Sequence, residues 1–135
     1  MATTSSTSRV WFITGATSGF GYALAEAAIA DGDVVVAAAR RPERLDALVA
    51  AHPDQLEPIA LDVGDTAAAT AAIETVIARY GRIDVLVNAA GRTQVGAAEE
   101  TTEQELRALF DVHVFGPAAL TRAALPQFRR QGSGA

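Results

Sequence analysis

The stretch Thr14-Gly15-Ala16-Thr17-Ser18-Gly19-Phe20-Gly21 constrains this chain more than any other. It follows Val10 to Thr14 (Val-Trp-Phe-Ile-Thr), a β-rich run with no polar alternation, as expected of a strand covered on both faces. It precedes Tyr22 to Ala30, an alanine-rich run that reads as a helix stopped at Asp31-Gly32. A glycine-dense turn leading from a buried strand straight into a helix points to a parallel α/β fold.

The rest of the chain repeats that alternation. Val34 to Ala39 is a second buried strand, and Pro42 opens a helix running to about His52. Leu56 to Leu61 is a weaker strand, whose Pro58 suits only a strand start or a sheet edge. Asp65 caps a helix to about Tyr80, and Ile83 to Val87 is a fourth strand. After the loop Asn88 to Glu100, a helix starts around Thr101-Thr102-Glu103-Gln104 and continues to about Leu125; Arg130 to Ala135 carries no structural signal. Right-handed crossovers then give a Rossmann-type doubly wound parallel sheet of about four strands in the order 3-2-1-4, one half of that fold plus the start of the other. Residues 1–9 read as a disordered tail, 10–130 as the α/β domain and 131–135 as a connecting loop.

Composition removes several function classes. There is no cysteine, so thiolate catalysis and cysteine-ligated metals are out, and His52 and His113 sit far apart in unlike settings, so no metal site is expected. Net charge is −5 without a basic block, which argues against nucleic acid. The longest wholly apolar stretch, Val34 to Ala39, is too short for a membrane span. The Ser- and Thr-rich start, Met1 to Arg9, lacks the apolar run of a signal peptide, so the expected location is the cytoplasm. All 11 basic residues are arginine; there is no lysine.

The glycine loop carries its own chemistry. One glycine permits a tight turn, another lets backbone approach a pyrophosphate, and the last allows close helix–strand packing. The helix N-terminus then offers free N–H groups and a positive dipole end to phosphates. With a strand before it and a helix after it, the loop Gly15, Thr17, Ser18, Gly19, Phe20 and Gly21 reads as a dinucleotide site.

Thr-Gly-x-x-x-Gly-x-Gly resembles the fingerprint of the short-chain dehydrogenase/reductase family, in its common branch. Two further segments agree: Asn88-Ala89-Ala90-Gly91 after the fourth strand, and Leu61-Asp62-Val63 after the third. The likeness spans about residues 9 to 130. It implies that Asp62, beside Val63, faces the adenine amino group, and that Asn88, Ala89, Ala90 and Gly91 stabilise the sheet and line the nicotinamide ribose. From the residues alone, Asp62 has a turn cap as its plainer alternative, weakened by the Asp65 cap close by, and Asn88 suits a buried amide tying strands and loops together.

In NAD-preferring members an acid ends the second strand and accepts from the ribose hydroxyls. Here Ala39 stands there, followed by Arg40 and Arg41. A guanidinium pairs with a 2′-phosphate that a carboxylate would repel, so NADP(H) is favoured over NAD(H). Two surface arginines flanking a helix start are the plainer alternative. Some NADP-preferring relatives also carry a basic residue before the second glycine, where this chain has Ser18.

The resemblance further implies oxidoreduction of carbonyl or alcohol substrates, using a serine and a Tyr-x-x-x-Lys pair. This chain holds only Tyr22 and Tyr80, followed four residues on by Glu26 and Asp84. A carboxylate raises a tyrosine pKa, the reverse of what proton exchange needs. Both tyrosines therefore read as packing residues, and the chain is expected to be catalytically silent by itself. His113 takes the place of the family's helix asparagine; it could maintain a proton relay or be satisfied by a backbone carbonyl. The expectation is thus the N-terminal part of an oxidoreductase, cut before its catalytic residues, with a non-catalytic dinucleotide-binding module as the rival. The complete protein is expected to be a homo-oligomer. Leu106, Leu109, Phe110, Val114 and Phe115 recur at helical spacing and need a cover.

Overall fold

The computed structural model describes residues 8–135. Four parallel strands, β1 (Val10–Thr14), β2 (Val34–Ala39), β3 (Leu56–Ala60) and β4 (Val85–Asn88), form one sheet in the expected order β3-β2-β1-β4. The register sets Phe12 between Val36 and Leu86, so apolar side chains line up across the sheet. Helices α1 (Gly19–Ala30), α2 (Asp46–Ala51), α3 (Thr66–Tyr80), α4 (Glu103–Phe110) and α5 (Gly116–Gln131) connect the strands.

The period-2 geometry of the strands sends alternate side chains to opposite faces. Phe12 and Val36 pack with Ile73 of α3 and Leu120 of α5. Ile13, Val35 and Ala37 pack with Ala25 and Ala28 of α1 and with Leu45. Burying a side chain of the size of Phe12 or Ile13 fully stabilises by roughly 1.5–3 kcal/mol, and both are completely buried. Pro58 lies within β3, opposite Ala37. It is tolerated because β3 is an edge strand, as its sequence required.

Two buried carboxylates secure the start of β1. Asp33 accepts from the Arg9 backbone N–H at 2.8 Å, the Trp11 indole N–H at 2.8 Å and the Arg9 Nε at 2.9 Å. Burial pushes its pKa up, but these hydrogen bonds and the Arg9 charge outweigh burial and hold it below the usual value of 3.8. Asp84 accepts from the Val10 N–H at 2.8 Å and from Arg82 Nε at 2.8 Å. Residues 1–7 of the expected tail lie outside the described residues. Arg9, grouped with that tail by sequence, is instead anchored by Asp33, a partner 24 positions away.

Several expected boundaries move; the third strand, for one, ends at Ala60 and not at Leu61. The helix after the glycine loop begins at Gly19, not Tyr22. The helix after Pro42 is a 3₁₀ turn, Pro42–Leu45, before α2 begins. The fourth strand begins at Val85, because Asp84 turns its side chain to the β1 start. The last helix is not one regular rod. Between α4 and α5 lies a π turn, Asp111–Phe115, in which Gly116 N–H donates to the Asp111 carbonyl. Gly116 is buried against strand-end backbone; a Cβ there would lie 2.3 Å from the Val63 carbonyl oxygen.

α5 runs to Gln131, past the expected Leu125 and through Pro126. Tertiary contacts explain the extension: buried Gln127 donates to the Gly81 carbonyl at 3.2 Å, and the Gln131 amide donates to the Ile83 carbonyl at 2.8 Å. The last residue is also bonded, contrary to a featureless tail. Ala135 N–H donates to the Asp84 carbonyl at 3.0 Å, and its carbonyl accepts from Leu86 N–H at 2.8 Å. Those two bonds satisfy part of the outer edge of β4.

Candidate functional site

A cleft of about 680 Å³ opens at the C-terminal ends of the strands, where open α/β sheets take their ligands. The glycine loop forms its floor. Gly15 has φ +63° and Gly19 φ +56°, left-handed conformations that favour glycine. Their surroundings differ. A Cβ on Gly15 would lie 2.6 Å from the Ala89 carbonyl oxygen, and one on Gly21 2.3 Å from the Gly15 carbonyl oxygen, so both serve close packing. A Cβ on Gly19 would meet nothing within 4 Å. The space over Gly19 is the open side of the loop, where a ligand can approach backbone.

Ser18 sits at the cap of α1 in extended conformation (φ −161°, ψ 166°), and its hydroxyl makes no cap hydrogen bond. The first N–H groups of a helix have no partner within it, so those of α1 face the cleft end of the loop. Phe20 is 87% exposed beside them.

The structure brings most of the sequence-derived residues to this one cleft: Gly15, Thr17, Ser18, Gly19 and Phe20 on the floor, Arg40 and Arg41 beyond β2, Asp62 and Val63 beyond β3, and Ala89, Ala90 and Gly91 beyond β4. Gly21 packs beneath the loop. Asp62 is exposed, and its Oδ1 accepts from Gly64 N–H at 2.9 Å. It therefore closes a local turn while standing at the cleft wall. Asn88 is exposed too, so it is not the buried amide that ties the strands.

That tie belongs to Thr14, which sequence reasoning missed. Its hydroxyl donates to the Val87 carbonyl at 3.3 Å and accepts from Ala89 N–H at 3.2 Å and Ala90 N–H at 3.1 Å. One buried oxygen thus joins β1, the end of β4 and the loop lining the cleft. The only signal for it was a β-branched hydroxyl residue at the last position of an apolar strand.

Arg44 was also missed. It lines the cleft with Arg40 and Arg41, and its spacing from Arg41 across a proline-led turn could have found it.

His113 lies on the π turn, with Nε2 2.7 Å from the Arg92 carbonyl oxygen and 3.3 Å from the Arg92 nitrogen. The shorter contact has Nε2–H donating to the carbonyl. This is the backbone-satisfied arrangement, and it pins the loop beyond Gly91. The tyrosines behave as packing residues. Tyr22 packs beside the Ile13 core. Tyr80 packs beside Ile73, and its hydroxyl donates to Glu57 Oε2 at 2.6 Å. Burial and the Glu57 carboxylate push its pKa up to about 12.

A glycine loop at a strand–helix junction, with a cleft beyond four parallel strand ends, defines a dinucleotide-binding α/β protein. The short chain dehydrogenase family model matches residues 9–135, and the chain belongs to that family. Among solved structures, it is similar to a short-chain dehydrogenase from Streptomyces avermitilis: identity is 64%, the TM-score is 0.93, and the match covers 96% of this chain and 48% of that one. A metagenomic short-chain oxidoreductase in complex with NADP is 34% identical, with TM-score 0.88 over 93% of this chain and 59% of its own. A 3-ketoacyl-(acyl-carrier-protein) reductase from Brucella melitensis, complexed with NADH, is 31% identical, with TM-score 0.85 over 92% of this chain and 51% of its own. The chain spans about half the length of the curated relatives it matches, 46% of one and 48% of another. No helix among the described residues is long and apolar enough to cross a membrane.

Proposed function

We propose that this chain is the cofactor-binding part of an NADP(H)-dependent oxidoreductase acting on carbonyl or alcohol groups of small molecules, working in the cytoplasm as a homo-oligomer. The observation that carries the reading is the cationic end of the cleft. Where an acid would accept from ribose hydroxyls, β2 ends in Ala39 and the cleft wall continues with Arg40 and Arg41. Both are exposed and, among the described residues, neither is in an ion pair.

The residues present fit the cofactor in parts. The uncapped start of α1 and the open face of Gly19 suit a pyrophosphate. The Asp62 side chain at the wall suits an adenine amino group, and the backbone of Asn88 to Gly91, held by Thr14 and His113, suits the nicotinamide ribose. Bound there, the nicotinamide supplies hydride chemistry.

This chain's own residues bind and orient but exchange no proton. It has no lysine, and Tyr80 holds its proton through burial and Glu57. That favours a second reading for the chain in isolation, a binding module without turnover. A complete protein would draw its acid–base pair from sequence other than this. The exposed apolar face of α4 and the π turn, with Leu106, Phe110, Val114 and Phe115 each about half exposed, is the surface proposed to meet a second copy.

Calorimetric titration with NADPH and NADH tests the cofactor assignment. NADPH should bind more tightly. Arg40→Ala should remove a charge-assisted contact of roughly 1.5–3 kcal/mol, which is about ten- to a hundred-fold in affinity, and leave NADH nearly unchanged. Equal loss for both cofactors would assign Arg40 to the fold instead. In the same preparations, carbonyl reduction with NADPH should stay at the blank.

A further inference from the structure

The 3₁₀ turn Pro42–Leu45 delivers a third guanidinium to the cationic end of the cleft. Arg44 N–H donates to the Arg41 carbonyl at 3.2 Å, closing that turn. Arg41, just ahead of the turn, and Arg44, within it, both line the cleft. Glu43 lies between them in sequence, is exposed, and does not line the cleft. The turn is held at both ends: Pro42 fixes its entry, and Leu45, completely buried, locks its exit into the core beside Val35 and Leu56. Arg44 is thus an exposed side chain on a fixed base.

What sets this rim apart is that three arginines without an ion pair gather on it. Arg9, Arg79, Arg82 and Arg107 each pair with a carboxylate. Arg40, Arg41 and Arg44 line one rim, and none of them pairs among the described residues. Three carboxylates also line the cleft: Asp62 accepts from Gly64 N–H, Asp65 accepts from Ala68 N–H at the start of α3, and Asp111 belongs to the π turn; among the described residues none of them is in an ion pair with these arginines. Three unpaired cations on one rim repel each other, and an anion seated among them converts that repulsion into attraction. A phosphate monoester, with close to two negative charges at neutral pH and three acceptor oxygens, is the chemical group that three guanidiniums match.

We infer that Arg44 is a specificity-determining residue for a phosphate monoester at this rim, acting with Arg40 and Arg41. The inference rests on the NADP(H) reading and deepens it: the 2′-phosphate is held from the turn as well as from the strand end. The rim should then recognise a 2′-phosphorylated adenosine without help from the nicotinamide half.

The test is calorimetry on the full chain and on Arg44→Ala, Arg44→Lys and Arg40→Ala, with NADPH, NADH, adenosine 2′-monophosphate and adenosine 5′-monophosphate as probes. Arg44→Ala should weaken NADPH and adenosine 2′-monophosphate about tenfold, as expected for one charge-assisted contact. NADH and adenosine 5′-monophosphate should be unaffected. Arg44→Lys, which keeps the charge but not the fork, should fall between. The thermal unfolding midpoint should stay put, because Arg44 is exposed. Unchanged NADPH affinity in Arg44→Ala, with a loss in Arg40→Ala, overturns the role of Arg44 and leaves the NADP(H) reading standing. Equal loss for NADPH and NADH in Arg44→Ala also overturns it, by making the residue a prop for the turn. Equal affinity for NADPH and NADH in both the parent chain and Arg40→Ala defeats the underlying reading itself.

Discussion

Thr14→Val replaces a hydroxyl with a methyl of nearly the same shape, so it isolates the hydrogen bonds of the buried oxygen. Three contacts go: donation to the Val87 carbonyl and acceptance from the Ala89 and Ala90 N–H groups. Each group left unpaired out of water costs roughly 1–3 kcal/mol. The three donor–acceptor distances run from 3.1 to 3.3 Å, and Ala89 and Ala90 are only half-buried, so water can partly replace what they lose. That puts each loss toward the lower end, for a total of about 2–4 kcal/mol, a large part of a typical domain's 5–15 kcal/mol. Thr14→Ser keeps the oxygen and loses one methyl, about 0.8 kcal/mol. In urea, with a slope of about 1–3 kcal/mol per molar, Thr14→Val should shift the midpoint down by about 1–2 M, and Thr14→Ser by much less. Cofactor affinity should fall in the valine variant as well, since Ala89 and Ala90 line the cleft. Midpoints for the two variants that agree within error would refute the idea that this hydroxyl holds the loop.

The two loop glycines should separate fold from binding. Gly21→Ala drives a Cβ into the Gly15 carbonyl and should abolish the cooperative unfolding transition. Gly19→Ala, strained by its φ of +56° but unobstructed, should cost only about 1 kcal/mol while cutting dinucleotide affinity; circular dichroism melts and calorimetry read the two effects. Stability should also respond to acid through Asp33. Its pKa is depressed in the fold, so its contribution is complete above the unfolded value near 3.8 and is lost as pH falls through the lower folded value. Urea midpoints of the parent should therefore drop below about pH 4 by more than those of Asp33→Asn; parallel curves would exclude Asp33 as the titrating group.

The parts of the fold legible in sequence are those written in local pattern. Buried strands announce themselves as Val10 to Thr14 and Val34 to Ala39 do, and the Asp65 cap appears as read, accepting from Ala68 N–H at 3.0 Å. The strand order followed from handedness applied to that alternation. What stayed hidden depends on partners distant in sequence. No local pattern says that Gln131 and Ala135 will bond the β4 edge, or that Arg9 will meet Asp33. The apolar spacing of Leu106, Leu109, Phe110 and Val114 fits an unbroken helix, so the π turn could not be read from it; the close approach of Gly116 to Val63 is visible only in three dimensions. At the site, the glycine loop and Arg40 were legible because backbone conformation and charge are local properties. The Thr14 hub was not, since a threonine ending a strand is common and its three partners lie at the end of β4 and in the loop after it, more than 70 residues later.

The π turn makes the long α4–α5 element a phase shifter. One extra residue in a helical turn advances everything after it by about 100° around the axis. Before the turn, Leu106 and Phe110 look outward; after it, Leu120 and Ala124 look into the core against α3. A strictly regular helix could not keep both orientations with this sequence. Deleting a single residue between Asp111 and Phe115 would therefore leave every other side chain chemically intact and yet rotate one stripe out of place, either drawing the outward face inward or pulling Leu120 from its seat. Length at this point is thus as informative as residue identity: a relative differing here by one insertion or deletion would present a different surface to its neighbours and a different cleft wall at Asp111 and Val112.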